Sequence, residues 1–187
     1  MKETKKSRWI ALSIFIVLIV LIDQVTKWLV MKYIPISGDV AVIPNVLHLT
    51  YVRNEGAAFS AFAGMQWLFI ALFAVYAVVL FILIKKHMLD RPFELWCLAA
   101  ITGGAIGNMI DRIFLGKVTD MISLKFFYIP MLSFKDGVHF SMVPFAIFNV
   151  ADIFITCGVI ALAIYILFFH KEEKPAKAEE TDDEADQ

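Results

Sequence analysis

The chain has 187 residues, 60% of them hydrophobic and 19% charged, with a mean hydropathy of +0.74 and a formal net charge of −1. That composition excludes an ordinary soluble domain and indicates an integral membrane protein. The near-zero charge hides an asymmetry: residues 171–187 hold eight acids and three bases, leaving fourteen bases against ten acids in the rest, so the chain reads as one membrane-embedded domain, 1–170, with a disordered acidic cytoplasmic tail.

In chain order, Lys2, Lys5, Lys6 and Arg8 precede an apolar run that has the outline of a signal peptide. No small-residue cleavage site follows, so we read a retained first helix over about 9–31. Residues 33–65 contain Pro35, Gly38, Asp39, Pro44 and Asn45 as turn formers and then the β-rich run 46–52, which predicts a short sheet on the membrane surface. Three further stretches, about 66–84, 93–115 and 148–169, reach the roughly 20 residues needed to cross the hydrocarbon core. The connection 116–146 mixes Phe126, Phe127, Tyr128, Phe134, Phe140 and Phe145 with Lys125 and Lys135, a composition suited to the headgroup region. The predicted fold is a membrane all-α core of four transmembrane helices with a small extracytoplasmic β-sheet and an interfacial segment.

Basic residues precede the first helix, separate the second from the third (Lys85, Lys86, Arg91) and follow the fourth (Lys171, Lys174). By the positive-inside rule both termini are cytoplasmic, and the two long connections face outward. These clusters sit at helix ends, so topology explains them and nucleic acid is not an expected partner. Cys97 and Cys157 have no paired spacing and read as small buried hydrophobes.

Asp120 and Asp152 carry the functional signal. Ionisable groups are costly in a bilayer, and two segments bring these acids to one membrane face, so together they form a site candidate. Close carboxylates that share a proton are the chemistry of aspartic peptidases. Asn108, Asp111 and Arg112 stand at i, i+3, i+4 in the third helix, and Asn149 and Asp152 at i, i+3 in the fourth. Each acid thus has an amide nearby in sequence to donate to it. Asp23 and Lys27, at i, i+4, can neutralise each other; they either anchor the helix end or belong to the site. In the segment 53–59, Asn54 and Glu55 precede Gly56, Ala57 and Ala58, small residues that would let an extended peptide approach, although from this segment alone an ordinary turn at the end of a strand accounts for them better.

These blocks together, Asp23 with Lys27, Asn54-Glu55-Gly56-Ala57-Ala58-Phe59, Gly107-Asn108-Met109-Ile110-Asp111-Arg112 with Gly116-Lys117-Val118-Thr119-Asp120, and Phe148-Asn149-Val150-Ala151-Asp152, resemble the signature blocks of lipoprotein signal peptidase (signal peptidase II) from about residue 23 to the end of the fourth helix. The resemblance implies an aspartic endopeptidase of the bacterial inner membrane that cleaves diacylglyceryl-modified prolipoproteins just before the lipidated cysteine. It places the catalytic pair on Asp120 and Asp152. Substrate-binding residues fall on Asp23, Lys27, Asn54, Gly56, Asn108, Arg112 and Asn149. It also implies globomycin-type inhibitors as ligands; membrane lipids are the expected surroundings, a monomer is the expected state, and nothing in the residues calls for a cofactor or metal. Met121 stands where the family pattern has an aromatic, and the interval between the two aspartates is long, which points to an insertion near 126–145 over the site.

Two other readings compete. A proton- or ion-coupled transporter would use Asp23, Asp111, Asp120 and Asp152 as a relay, but the acids cluster at one face and no internal repeat is visible. A scaffold whose polar residues only join helices would tolerate Asp→Asn exchange. His48, His87, His139 and His170 are scattered over both membrane sides and form no ligand set.

Overall fold

The computed structural model describes residues 5–56, 64–89, 91–126, 128–133 and 139–169, with backbone alone for 128–133 and 139–144. The tail 171–187, Lys171 and Lys174 among it, and Ala57-Ala58-Phe59 lie outside the described residues. Four helices carry the chain: α1 (Lys5–Tyr33), α2 (Gln66–Lys85), α3 (Pro92–Leu115) and α4 (Val150–Phe169). All four are long and apolar enough to cross a membrane. At 1.5 Å per residue even the two 20-residue helices span about 30 Å, the thickness of the hydrocarbon core.

α3 is the centre of the bundle, because its small residues let two partners approach. A Cβ on Gly103 would stand 2.9 Å from Ile19 of α1, and one on Gly104 would overlap the Ala151 carbonyl of α4. Small residues serve this purpose in membranes, where lipid is as apolar as the helix surface and close packing supplies the association energy. Gly104→Val should therefore push α4 off α3. Overpacking of this kind costs about 1–3 kcal/mol, read as a lowered unfolding temperature in detergent. α2 buries no residue and touches α3 through the Tyr76 hydroxyl and Thr102 Oγ1, 2.7 Å apart. Its apolar side chains, Trp67, Leu72, Val75 and Phe81 among them, are exposed.

On the far side from the Lys5 end lie the strands β1 (Asp39–Ile43), β2 (Leu47–Asn54) and β3 (Val118–Leu124), an antiparallel sheet in the order β1-β2-β3. The β-rich run 46–52 becomes the central strand, as its residues imply. β3 comes from the second long connection, which extends the surface sheet beyond the segment that predicted it. The helix ends at Gly116, whose φ of 72° is the left-handed conformation that turns the chain out of α3. Chain reversal there lets β3 pair back along β2, with Asp120 opposite Val52. Val30, Ile34, Tyr51 and Met121 form a small core joining α1 to the sheet, which accounts for an apolar residue at position 121. Within the interval 126–145 the described strands β4 (Tyr128–Ser133) and β5 (His139–Pro144) pair antiparallel.

The outer edge of the sheet is closed by charge. Asp39 accepts hydrogen bonds from Thr50 Oγ1 and His48 Nδ1 and pairs with Lys125 at 3.3 Å. The Thr50 hydroxyl first, then His48, holds the Asp39 carboxyl down to about 2.

Candidate active site

Phe148 is the hinge of the site. Its carbonyl accepts from the N–H groups of Met121 and Ile122, and its own N–H donates to Ile122 O. The residue after Asp120 is thereby locked to the residue before Asn149, and the start of α4 is held against β3.

Asn149 then caps α4. Its Oδ1 accepts from the Asp152 N–H at 3.0 Å, and its own N–H donates to Asp152 Oδ2 at 3.1 Å. This is a capping box with Asp as the third helical residue, which explains the i, i+3 spacing by local structure alone. With its oxygen used in the cap, the Asn149 side chain has only its amide N–H left to offer. Asn149 Nδ2 donates to Asp120 Oδ1 at 2.8 Å and also contacts Thr119 O and Asn108 Oδ1. Asp120 Oδ2 accepts from Asn54 Nδ2 at 2.9 Å, and Asn54 Oδ1 accepts from the Gly56 N–H.

The other acid is served by α3. Asn108 Nδ2 donates to Asp152 Oδ1 at 2.7 Å, while its Oδ1 faces Lys27 Nζ at 3.0 Å. An ammonium can only donate, so Lys27 forces the oxygen of Asn108 toward itself and the amide N–H toward Asp152. The expectation that each acid is served by the side-chain amide nearest in sequence is thus reversed. Asn108 serves Asp152, and Asn149 serves Asp120.

Beneath this layer sits a buried charge cluster. Lys27 pairs with Asp23 at 2.8 Å and with Asp111 at 3.2 Å, and Asp23 and Lys27 are 0% exposed. Asp23 Oδ1 accepts from the Ala151 N–H in the first turn of α4, where the helix dipole favours an anion. Asp111 Oδ2 accepts from the Thr119 N–H, fixing the residue before Asp120. Gln24 Nε2 ties Asp23, Asp111 and Gly107 O together. The cluster therefore joins α1, α3, α4 and β3. The sequence reading placed Asp111 on the Asn108 face and in the transporter relay but not among the peptidase site residues, and it did not name Gln24. Asp111 stands three residues from Asn108 on the same face, and Gln24 adjoins Asp23, yet only their bonds reveal them.

Arg112 lies at the rim. Its guanidinium donates to Gly56 O at 3.1 Å and Asn108 O at 3.4 Å and lies 4.4 Å from the centre of the Phe69 ring of α2. It holds the end of β2 and α2 to α3.

One cavity of about 450 Å³ is lined by Asn54, Gly56, Asn108, Arg112, Asp120 and Asp152 on its polar side and by Val118, Phe145, Phe148 and Ile153 on its apolar side, whereas Asn149, Asp111 and Gln24 do not line it. Asp23 and Lys27 lie behind it rather than on its wall. Cys157 is on the wall and exposed, while Cys97 is buried, so only one of the two thiols is a core residue.

The Asp120 carboxyl, 3% exposed, is pushed up to about 6. Burial is the main cause, and the Asp152 charge adds to it against the lowering effect of the Asn54 and Asn149 hydrogen bonds. One of the two facing carboxyls thus takes a proton far more readily than an exposed aspartate.

A profile of the family described as Signal peptidase (SPase) II matches residues 15–168. The chain belongs to the signal peptidase II family. Similar proteins include the lipoprotein signal peptidases of Streptococcus agalactiae serotype Ia, 38% identical over 84% of this chain and 92% of that one, and of Geobacillus kaustophilus, 36% identical over 89% and 96%. Among solved structures, a bacterial membrane enzyme determined by the in meso method superposes with a TM-score of 0.72 at 29% identity, covering 88% of this chain and 93% of the other. Signal peptidase II membership makes the chain a protease, and its four apolar helices make it a multi-pass membrane protein.

Proposed function

We propose that this protein is an aspartic endopeptidase that removes signal peptides from diacylglyceryl-modified prolipoproteins in the bacterial inner membrane, cutting before the lipidated cysteine. The observation that carries this reading is that Asp120 and Asp152 face one cavity while their amide donors come from opposite elements. Asp120, whose carboxyl burial raises to about 6, carries the proton and polarises the scissile carbonyl. Asp152 takes a proton from the attacking water, and the tetrahedral intermediate then collapses with that proton passing to the leaving amine. Asn54, Asn108 and Asn149 orient the two carboxyls. Gly56 leaves room for an extended substrate backbone, and Arg112 keeps Gly56 in position. Asp23 and Lys27 act from behind by fixing α4 and the Asn108 amide. Globomycin-type peptides would occupy the same cavity, in a monomer surrounded by lipid.

Both termini face the cytoplasm in this reading, with the cavity near the outer face. Its support is that Lys5, Arg8 and Lys85 gather at the end of the bundle opposite Asp120. The decisive experiment is cleavage of a diacylglyceryl-modified prolipoprotein by the purified protein in detergent, with the Asp variants treated in the Discussion. Competent substrate left intact by the folded wild type would overturn the assignment.

The raised Asp120 value sets the pH behaviour. In the free enzyme the required proton is lost above about pH 6, so kcat/KM should fall on its alkaline side with a midpoint near there. Stability follows the same sign. A carboxyl whose folded value lies above its unfolded one favours the fold fully below pH 3.8 and loses that contribution as pH rises through about 6. The loss is on the order of 3 kcal/mol. Thermal unfolding of the wild type from pH 4 to 7 should show this decline, and Asp120→Asn should lack it; parallel curves would remove Asp120 as the proton carrier.

A further inference from the structure

At the end of the bundle farthest from the aspartates, Lys5, Arg8 and Trp9 of α1, Ile84 and Lys85 of α2, His87 and Leu89 of the following turn and Leu95 of α3 enclose a second cavity of about 660 Å³. We propose that it binds the phosphate headgroup of an anionic glycerophospholipid, with the basic side chains on the phosphate and the apolar ones along the glycerol and first acyl carbons. The proposal is independent of the peptidase chemistry.

Four observations carry it. The basic groups come from two chain segments, the start of α1 and the end of α2 with its following turn, and converge on a concavity, whereas charges that merely set topology need only a solvated surface. The turn that supplies His87 is built rather than loose: His87 has a φ of 54°, its N–H donates to Ile84 O, and the N–H groups of Lys86 and Met88 donate to Ile82 O and Leu83 O. Glu94, buried in the first turn of α3, is the acid of this end among the described residues, so the cations are in excess. Finally, half of the lining is apolar, and the cavity adjoins helices whose outer surfaces are exposed Ile, Leu, Val and Phe side chains. A free inorganic anion has no use for that half, whereas a lipid has. Basic pockets between helix ends at this depth suit anionic headgroups.

The test is native mass spectrometry of the full chain released from nanodiscs of equal phosphatidylglycerol and phosphatidylcholine. Wild type should retain one phosphatidylglycerol. Each basic contact near the surface is worth about fivefold, so the Lys5→Gln/Lys85→Gln double variant should retain about 25-fold less. Both lysines are exposed, which leaves the fold intact, and Lys5→Arg/Lys85→Arg should keep the adduct. Equal retention of phosphatidylcholine, or an undiminished adduct in the Gln variant, would overturn the proposal. Displacement by millimolar inorganic phosphate would identify free phosphate as the occupant and overturn it as well.

Discussion

Asp120→Asn and Asp152→Asn should each reduce kcat/KM for a diacylglyceryl-modified prolipoprotein by about 10³-fold, within the range for loss of a positioned acid or base. Each change removes the proton transfer while keeping the side-chain volume. Asn at 152 can still accept from the Asn149 N–H, so the capping box persists on one side. Its new N–H group would face the Asn108 amide, which Lys27 holds in donor orientation. Two donors then meet, and a modest loss of stability is expected beside the large loss of activity. A scaffold built on hydrogen bonds alone predicts the opposite ratio. Unfolding temperature and cleavage measured on the same preparation decide between them, and substantial cleavage by folded variants would refute the paired-carboxyl mechanism.

Lys27→Met should cost about 3–5 kcal/mol of stability, because it leaves Asp23 and Asp111 buried without their shared cation. The comparison is with Lys117, whose ion pair to Glu55 is 41% and 50% exposed. Lys117→Ala should cost about 0–1 kcal/mol, since water and salt screen such pairs. Lys27→Met has a second consequence, because without the ammonium only the Asn149 Nδ2 contact holds the Asn108 oxygen away from Asp152. Activity should therefore stay low even where lipid or low temperature keeps the variant folded. Equal unfolding temperatures for Lys27→Met and Lys117→Ala would mean that the buried cluster carries no such energy.

Much of the architecture is legible in the sequence. The structure's helices begin and end within four residues of the expected ones, since a bilayer demands long unbroken apolar runs and leaves few ways to satisfy their backbone. The run 46–52 announced β2 through its β-branched and aromatic residues. Less legible was the second connection. Val118–Leu124 carries Thr119, Asp120 and Ser123 among apolar neighbours, and its buried polar residues hide the strand pattern. They are buried on both sides because β3 lies between β2 and the start of α4, which no local signal announces.

The candidate site divides the same way. Residue types and spacing nominated Asp120, Asp152 and their asparagines, because carboxylates and amides beside membrane helices are too costly to stand without a use. Tertiary structure decided which amide serves which acid. The α4 cap engages the Asn149 oxygen and frees its N–H for Asp120, while Lys27, 81 residues from Asn108, fixes the polarity of the amide that reaches Asp152. Tertiary structure also recruited Asp111 and Gln24, whose partners lie on another helix. Sequence by itself determined the membrane spans and the chemical groups at the site, since both follow from local solvation. Partner choice and the raised Asp120 value depend on distances and burial between segments far apart in the chain, and those exist only once the helices have packed.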